Sequence, residues 1–205
     1  VNNSILSVEL MSVNTDRQAL VRARTAQRIQ IGDKLTKGTG AGGRPEIGQK
    51  SAEESREEIS EALKGTQMVF IAAGMGGGTG TGAAPVIAQI AKEMDILTVG
   101  IVTKPFGFEG KKRMEQADLG ITELRKNVDS LIVIPNERLK LISEQKITLA
   151  NAFQAADNVL AQGVQSISDL INLPGLVNLD FADVTSVMKD AGYAHMGLGC
   201  ATGKD

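Results

Sequence analysis

The chain has 205 residues, of which 42% are hydrophobic and 22% are charged, and its formal net charge is −2. Acidic and basic residues are interspersed, without the basic surface that nucleic-acid binding requires, so we expect no nucleic-acid partner. No apolar stretch approaches the roughly 18–20 residues of a membrane span, so we expect no direct insertion into a membrane. The single cysteine, Cys200, excludes an internal disulfide and fits a reducing compartment.

The first predicted elements are a strand over 6–13, "LSVELMSV", and a helix near 16–24. A glycine-rich stretch, "KGTGAGGRPEIG", follows at 37–48. Ser51 has Glu54 three residues after it, and this capping-box spacing predicts that a helix begins at the serine.

Strands and helices alternate in the middle of the chain. Continuous apolar runs at 67–73, 96–103 and 130–134 are typical of strands that are buried on both faces of a parallel sheet. Helical patterns at 83–94 and 109–127 separate these strands.

One long helical pattern over 149–173 follows, and at 1.5 Å per residue it would span roughly 35–40 Å. The alternation predicts an α/β fold with a Rossmann-like, mostly parallel sheet that carries helices on both faces.

The stretch "GMGGGTGTGAAP", 74–85, contains six glycines and directly follows a predicted buried strand. Ligands of such sheets bind beyond the carboxyl ends of the strands, and glycines let backbone N–H groups approach an anion. The next helix, with Pro85 in its first turn, would add its positive end. The pattern predicts a phosphate-binding loop with Thr79 and Thr81 as hydroxyl donors, and a flexible turn without a ligand is the alternative.

Two other phosphate-loop types do not fit the sequence. It contains no G-x-x-x-x-G-K-[ST] motif. "GTGAGG" at 38–43 matches G-x-G-x-x-G, but no convincing strand precedes it, and Arg44 and Pro45 follow instead of a helix. We therefore reject a dinucleotide-binding fingerprint there.

Several rare motifs together resemble the tubulin and FtsZ superfamily over nearly the whole chain. They are "VNTD" (13–16), "GAGGRPEIG" (40–48), "GGGTGTG" (76–82), "TKPFGFEGKKR" (103–113), "IPNERL" (134–139), "AFQAADNVL" (152–160) and "NLDFADV" (178–184).

The resemblance implies a cytoplasmic protein of the bacterial division ring that binds and hydrolyses GTP and polymerises head to tail. It implies GTP or GDP and Mg²⁺ as cofactors, with the metal ligands unassigned, and further cell-division proteins as partners through regions absent here. A nucleotide-binding module that does not hydrolyse is the alternative, and a Rossmann-type dehydrogenase is a weaker one. We expect the chain by itself to be inactive as a GTPase.

The resemblance also assigns a phosphate cradle. Arg44 stands where the family usually has asparagine, and it would face either the triphosphate or solvent. The cradle residues are Ala41, Gly42, Gly43, Gly74, Met75, Gly76, Gly77, Gly78, Thr79 and Gly80.

For the ribose, the resemblance implies Glu109 on the hydroxyls and Arg113 near ribose and phosphate. For the base, it implies stacking on Phe153 and hydrogen bonds to Asp157 and Asn136. Spacing alone would instead predict a solvated ion pair for Glu109 and Arg113. It would predict a core position for Phe153 and a surface position for Asp157.

Asn178, Asp180 and Asp183 lie in "NLDFAD", which in the family completes the catalytic site of the neighbouring subunit. Hydrolysis would then depend on assembly. The local alternative is a helix entry, with Asp180 as the cap and Asp183 in the first turn.

The expected division of the chain is a GTP-binding domain over 1–173, the co-catalytic loop and its helix over 174–192, and the start of a second domain over 193–205. The family's first strand and first glycine-rich loop have no counterpart in this chain. His195 has no neighbouring metal ligands in sequence and predicts no metal site.

Overall fold

A computed structural model describes residues 8–142, 151–172 and 180–194. None of the described helices is long and apolar enough to cross a membrane. The elements are β1 (Met11–Asn14), α1 (Arg17–Arg22), β2 (Gln27–Gln30), α2 (Asp33–Thr36), α3 (Pro45–Glu54), α4 (Arg56–Ala62), β3 (Met68–Gly74), α5 (Thr79–Glu93), β4 (Leu97–Lys104), a 3-10 turn (Gly107–Glu109), α6 (Lys111–Arg125), β5 (Ser130–Pro135), α7 (Asn136–Ile142), α8 (Ala152–Asn172), α9 (Phe181–Met188) and β6 (Gly192–Tyr193).

All described strand pairs are parallel, and they form two sheets. The first sheet contains β1 and β2, and the second has the order β3-β4-β5-β6. Among the described residues, no strand pairing joins β1 to β3, so both of these strands are sheet edges. The predicted α/β class with a parallel sheet is confirmed.

The core is built around β4, whose first seven residues are all buried. Successive side chains of a strand point to opposite faces. On one face, Val99 and Ile101 pack with Val164 and Ile167 of α8. On the other face, Val102 belongs to a cluster formed with α5 and α6. Helices therefore cover both faces of the central strand, as the apolar pattern predicted.

The predicted helix start at Ser51 is wrong. Helix α3 already begins at Pro45, because the fixed φ and missing N–H of proline suit the first helical position. Ser51 is fully buried inside that helix. The carboxylate of Glu54 instead caps α2, where it accepts the N–H groups of Lys34 (2.9 Å) and Leu35 (3.2 Å).

The predicted start of α5 is also wrong. The helix begins at Thr79, so Pro85 lies in its interior instead of its first turn. Proline there lacks the N–H that would reach the carbonyl oxygen of Thr81. Gly120 of α6 packs against this carbonyl group. An ideal Cβ on Gly120 would lie 3.2 Å from the carbonyl oxygen of Thr81. The second half of the predicted glycine loop is thus the first turn of a helix.

The last described elements lie at the edge of the second sheet. Gly192 and Tyr193 of β6 pair with Ser130 and Leu131 of β5. Helix α8 lies within the predicted 149–173, whose first and last residues are outside the described ones. The predicted domain division depends partly on residues outside the described ranges, so it stays a prediction. His195 and Cys200 also lie outside those ranges.

Candidate functional site

The candidate site lies at the carboxyl ends of the parallel strands, where open α/β sheets bind ligands. Strand β3 leads into the loop 75–78, β4 into the segment 105–110 and β5 directly into Asn136. Strand β1 leads to Thr15, whose buried hydroxyl lies 2.7 Å from the hydroxyl of Thr79 at the start of α5. This hydrogen bond ties the first sheet to the same edge.

Two glycine loops meet at this edge. One is 41–44, before α3, and the other is 75–78, before α5. An ideal Cβ on Gly78 would lie 2.7 Å from the Cβ of Ala41 and 2.9 Å from the backbone nitrogen of Arg44. Only glycine permits this approach, which brings the N-termini of α3 and α5 into contact.

Glycines also hold α3 against α5 below the loops. An ideal Cβ on Gly82 would overlap the carbonyl oxygen of Pro45, and one on Gly48 would overlap that of Gly78. The two helices therefore pack backbone to backbone. Part of the glycine-rich signature therefore serves helix packing. The sequence pattern alone attributed all of these glycines to the approach of a ligand.

Several N–H groups of the two loops and of the first turn of α5 have no hydrogen-bond partner among the described residues. The first N–H groups of a helix have none within it, and neither helix start has a side-chain cap. Both glycines of the first loop have left-handed φ angles and open space around them. They include the N–H groups of Ala41, Gly42 and Gly43 in the first loop, of Gly77 and Gly78 in the second, and of Thr79 at the start of α5.

Other predicted cradle residues use their polar groups internally. The N–H of Gly76 donates to the hydroxyl of Thr81 at 2.8 Å, and the N–H of Met75 donates to the carbonyl of Thr103 at 3.0 Å. Gly80 is helical, and an ideal Cβ on it would lie 2.8 Å from the carbonyl oxygen of Gly74. The N–H groups of Met75 and Gly76 therefore shape the loop and are not free to bind a ligand.

Glu109 and Arg113 form an ion pair beside the cradle. Glu109 lies in the 3-10 turn and not at the helix start that its spacing predicted, because Gly110 separates it from α6. Its carboxylate accepts the N–H of Phe106 at 2.8 Å and lies 3.3 Å from Nε of Arg113. The arginine also extends toward the phosphate loop, where its Nη2 would lie 4.0 Å from an ideal Cβ on Gly77.

Three phenylalanines form a wall at the other end of the site. Phe106 is fully buried and stacks on Phe108 with ring centroids 5.1 Å apart. The ring of Phe153 meets both edge-on, at 6.1 and 6.2 Å. Phe153 remains 52% exposed, so it is not the core phenylalanine that its helical spacing suggested.

Asn136 and Asp157 differ sharply in their surroundings. Asn136 is 5% exposed, and its Oδ1 has no hydrogen-bond partner among the described residues. An unpaired buried acceptor costs about 1–3 kcal/mol, so a ligand that donates a hydrogen bond there would recover this cost. Asp157 is exposed, one helical turn after Phe153 on α8.

The two aspartates of the predicted catalytic loop form a capping box at the start of α9. Asp180 Oδ1 accepts the N–H of Asp183 at 2.8 Å, and Asp183 Oδ2 accepts the N–H of Asp180 at 3.1 Å. Both are exposed, and no described contact connects them to the cradle. The other end of α9 is bonded to the amino end of β5, where Ser130 Oγ donates to the carbonyl of Met188 at 2.7 Å. Asn178 lies outside the described residues.

Among the described residues, no three Asp, Glu, His or Cys side chains form a group that could hold a metal ion. Sequence reasoning missed three residues that the structure places at the site edge: Thr15, Phe108 and Glu137. Glu137 accepts the N–H of Gly107 at 2.9 Å and so joins α7 to the 3-10 turn. The aromatic repeat in "PFGF" was the available sequence signal for Phe108. Thr15 and Glu137 are single polar residues that follow a strand, and no sequence pattern marks them as site residues.

Comparison with known proteins agrees with this geometry. Residues 3–144 match the model of the Tubulin/FtsZ family, GTPase domain. The chain belongs to the Tubulin/FtsZ family. Two curated relatives named Cell division protein FtsZ, from Buchnera aphidicola of Schizaphis graminum and of Acyrthosiphon pisum, are 58% identical over all 205 residues. The alignment covers 53% of each relative, so the chain spans about half the length of these FtsZ proteins.

Two solved structures share the fold of this chain. An FtsZ dimer from M. jannaschii superposes with a TM-score of 0.86 at 49% identity, over 89% of this chain and 53% of that one. A GTPγS-bound protofilament of CetZ2 from Haloferax volcanii has a TM-score of 0.75 at 23% identity, over 89% and 54% of the chains, and supports the fold alone.

Proposed function

We propose that this chain is the nucleotide-binding part of a GTP-hydrolysing cytoskeletal protein that assembles head to tail in bacterial cell division. One observation carries the proposal. The same sheet edge holds a cradle of free N–H groups, an exposed aromatic ring and an unpaired buried acceptor. These features match the phosphates and the base of one nucleotide, and family membership favours a guanine nucleotide.

The phosphates would bind where α3 and α5 begin. The free N–H groups of Gly42, Gly43, Gly77, Gly78 and Thr79 would donate to phosphate oxygens, and both helix N-termini add positive partial charge. Ala41, Gly74, Met75, Gly76 and Gly80 would support the cradle through packing and internal hydrogen bonds.

The ribose and base would bind toward the phenylalanine wall. Glu109 would accept the ribose hydroxyls, and Arg113 would lie between ribose and phosphate. Guanine would stack on Phe153 and donate its N1–H and amino group to Asp157 and Asn136. Adenine has an acceptor at N1, so it would leave these acceptors unpaired, and such a mismatch discriminates strongly.

Asp180 and Asp183, together with Asn178, would act on the nucleotide of a neighbouring copy. Their separation from the cradle of their own chain supports this role. A carboxylate can orient and polarise an attacking water, and phosphoryl transfer mostly needs positioning and charge stabilisation. Mg²⁺ would neutralise charge on the phosphates. The M. jannaschii FtsZ dimer supports self-association.

The test measures phosphate release by the full-length gene product from GTP and from ATP over a range of protein concentrations. We expect hydrolysis of GTP alone, rising more steeply than in proportion to protein, with GTP-dependent sedimentation. Binding of GTP without phosphate release at any concentration would favour the non-hydrolysing binding module. Equal turnover of ATP and GTP would contradict the proposal. The expected location is the cytoplasmic division ring.

A further inference from the structure

Arg44 occupies the junction between the two glycine loops. It is the N-cap residue of α3, and its backbone nitrogen donates to the carbonyl of Ala41 at 3.1 Å. The backbone of Arg44 also contacts Gly78, the N-cap residue of α5. One arginine backbone thus lies at the start of both helices that form the phosphate cradle.

The side chain of Arg44 is exposed and forms no ion pair within the described part of the chain. The first turn of α5 contains no acidic residue, and the first turn of α3 contains Glu46. No side chain of the preceding loop shields the guanidinium, since Gly42 and Gly43 have none and open space surrounds them. The side chain of Arg44 therefore extends from a backbone position at the edge of a cradle that two helix N-termini already make positive.

We propose that Arg44 binds the terminal phosphate of a nucleoside triphosphate and makes this site prefer the triphosphate over the diphosphate. The inference rests on the proposed function. A guanidinium presents paired N–H donors that match two phosphate oxygens, and it keeps its charge at any physiological pH. The diphosphate lacks the phosphate that this group would bind.

Arg113 makes the arrangement two-sided. Its guanidinium approaches the cradle from α6, near Gly77, whereas the backbone of Arg44 lies on the α3 side, near Gly78. Arg113 is held by Glu109, so part of its charge is balanced within the protein. Arg44 is the cation whose charge stays available for the additional negative charge of a terminal phosphate.

The experiment measures GTP and GDP affinity of the full-length gene product and of Arg44→Asn, by calorimetry with Mg²⁺ and again with excess chelator. Asparagine is a favoured N-cap residue, so this change preserves the start of α3. We expect GTP affinity to fall about tenfold or more and GDP affinity to change less than about threefold, as the loss of one charged hydrogen-bond partner predicts. The loss for GTP should be larger in chelator, where no divalent cation neutralises the phosphates.

Lys50→Asn is the matched control, because it removes the same charge from an exposed position on the same helix, about 9 Å farther along. Its ratio of GTP to GDP affinity should equal that of the wild type. Arg44→Lys keeps the charge without the paired donors and should give an intermediate ratio. An unchanged ratio in Arg44→Asn, with wild-type protein that binds both nucleotides, would overturn this inference alone. Wild-type protein that binds neither nucleotide would overturn the proposed function.

Discussion

The two ends of the candidate site are built from different parts of the chain. The phosphate end consists of backbone: two glycine loops, free N–H groups and two helix N-termini in direct contact. The base end consists of side chains, with an exposed Phe153, a buried and unpaired Asn136 and an exposed Asp157. Changes to the packed glycines of the phosphate end should therefore act first on folding, whereas changes at the base end should act on affinity and on the choice of base.

The largest expected effect is that of Gly82→Ala at the phosphate end. The added Cβ would overlap the carbonyl oxygen of Pro45 and force α3 away from α5. We expect a loss of about 3 kcal/mol or more in the free energy of unfolding, measured in denaturant.

Gly77→Ala is the control for this change. A Cβ on Gly77 meets nothing closer than Nη2 of Arg113, at 4.0 Å, so its stability should change by less than about 1 kcal/mol. Equal destabilisation by the two substitutions would contradict the assignment of Gly82 to helix packing.

The second effect concerns turnover and lies at neither end of the site. Asp180→Asn and Asp183→Asn should keep GTP affinity near wild type and lose most of the GTP hydrolysis, because the carboxylates act on another copy. Asparagine can still cap α9. Asp190→Asn removes an exposed charge beyond the other end of α9 and should hydrolyse normally. Mixing either mutant with wild-type protein should restore part of the activity, and normal hydrolysis by the unmixed mutants would refute the catalytic role.

The third prediction tests the base end directly. Asp157→Ala should weaken GTP binding about 10- to 150-fold, the equivalent of about 1.5–3 kcal/mol for a charged hydrogen-bond partner. ATP binding should change little, because adenine cannot donate from N1. Competition binding with both nucleotides measures the difference, and equal losses would show that Asp157 does not read the base.

The smallest expected effects come from removing two buried polar atoms that have no hydrogen-bond partner among the described residues. These atoms are Oδ1 of Asn136 and Oγ of Ser51. Asn136→Ala should change the free energy of unfolding by less than about 1 kcal/mol, because lost packing offsets the removed unpaired acceptor, and should weaken GTP binding about tenfold. Ser51→Ala should raise stability by up to about 1 kcal/mol and leave GTP binding unchanged. A loss of affinity in Ser51→Ala would show that the effect is not specific to the base end.

The strands β3, β4 and β5 were predictable because each is a continuous apolar run. The short elements β2, α2 and α7 were missed. Strand β2 has polar residues around the buried Ile29, and α2 has four residues, so neither shows a periodic pattern. Helix α7 follows β5 without an intervening loop, and Pro135 and Asn136 are the local signals of the change from strand to helix.

The two ends of the site also differed in how far the sequence revealed them. At the phosphate end, the glycine density at 74–82 indicated the loop before α5 without any family knowledge, whereas the loop 41–44 was assigned only through the family resemblance. The base end combines Asn136, Phe153 and Asp157 from different elements, and spacing alone favoured a core phenylalanine. Their proximity depends on tertiary packing of α7 against α8, which no local pattern encodes. The family resemblance was needed to select them.

The backbone contact between α3 and α5 has a mechanical consequence. With no side chains at Gly48 and Gly82, no compressible layer separates the helices, so neither can shift slightly without the other. A displacement of the Gly42–Gly43 loop that moved α3, which is about 15 Å long, would therefore move α5 with it. Its far end carries Glu54, whose carboxylate holds the start of α2. Helix α3 thus links the proposed phosphate cradle at one end to the start of α2 at the other, and any motion of α3 is coupled to α5.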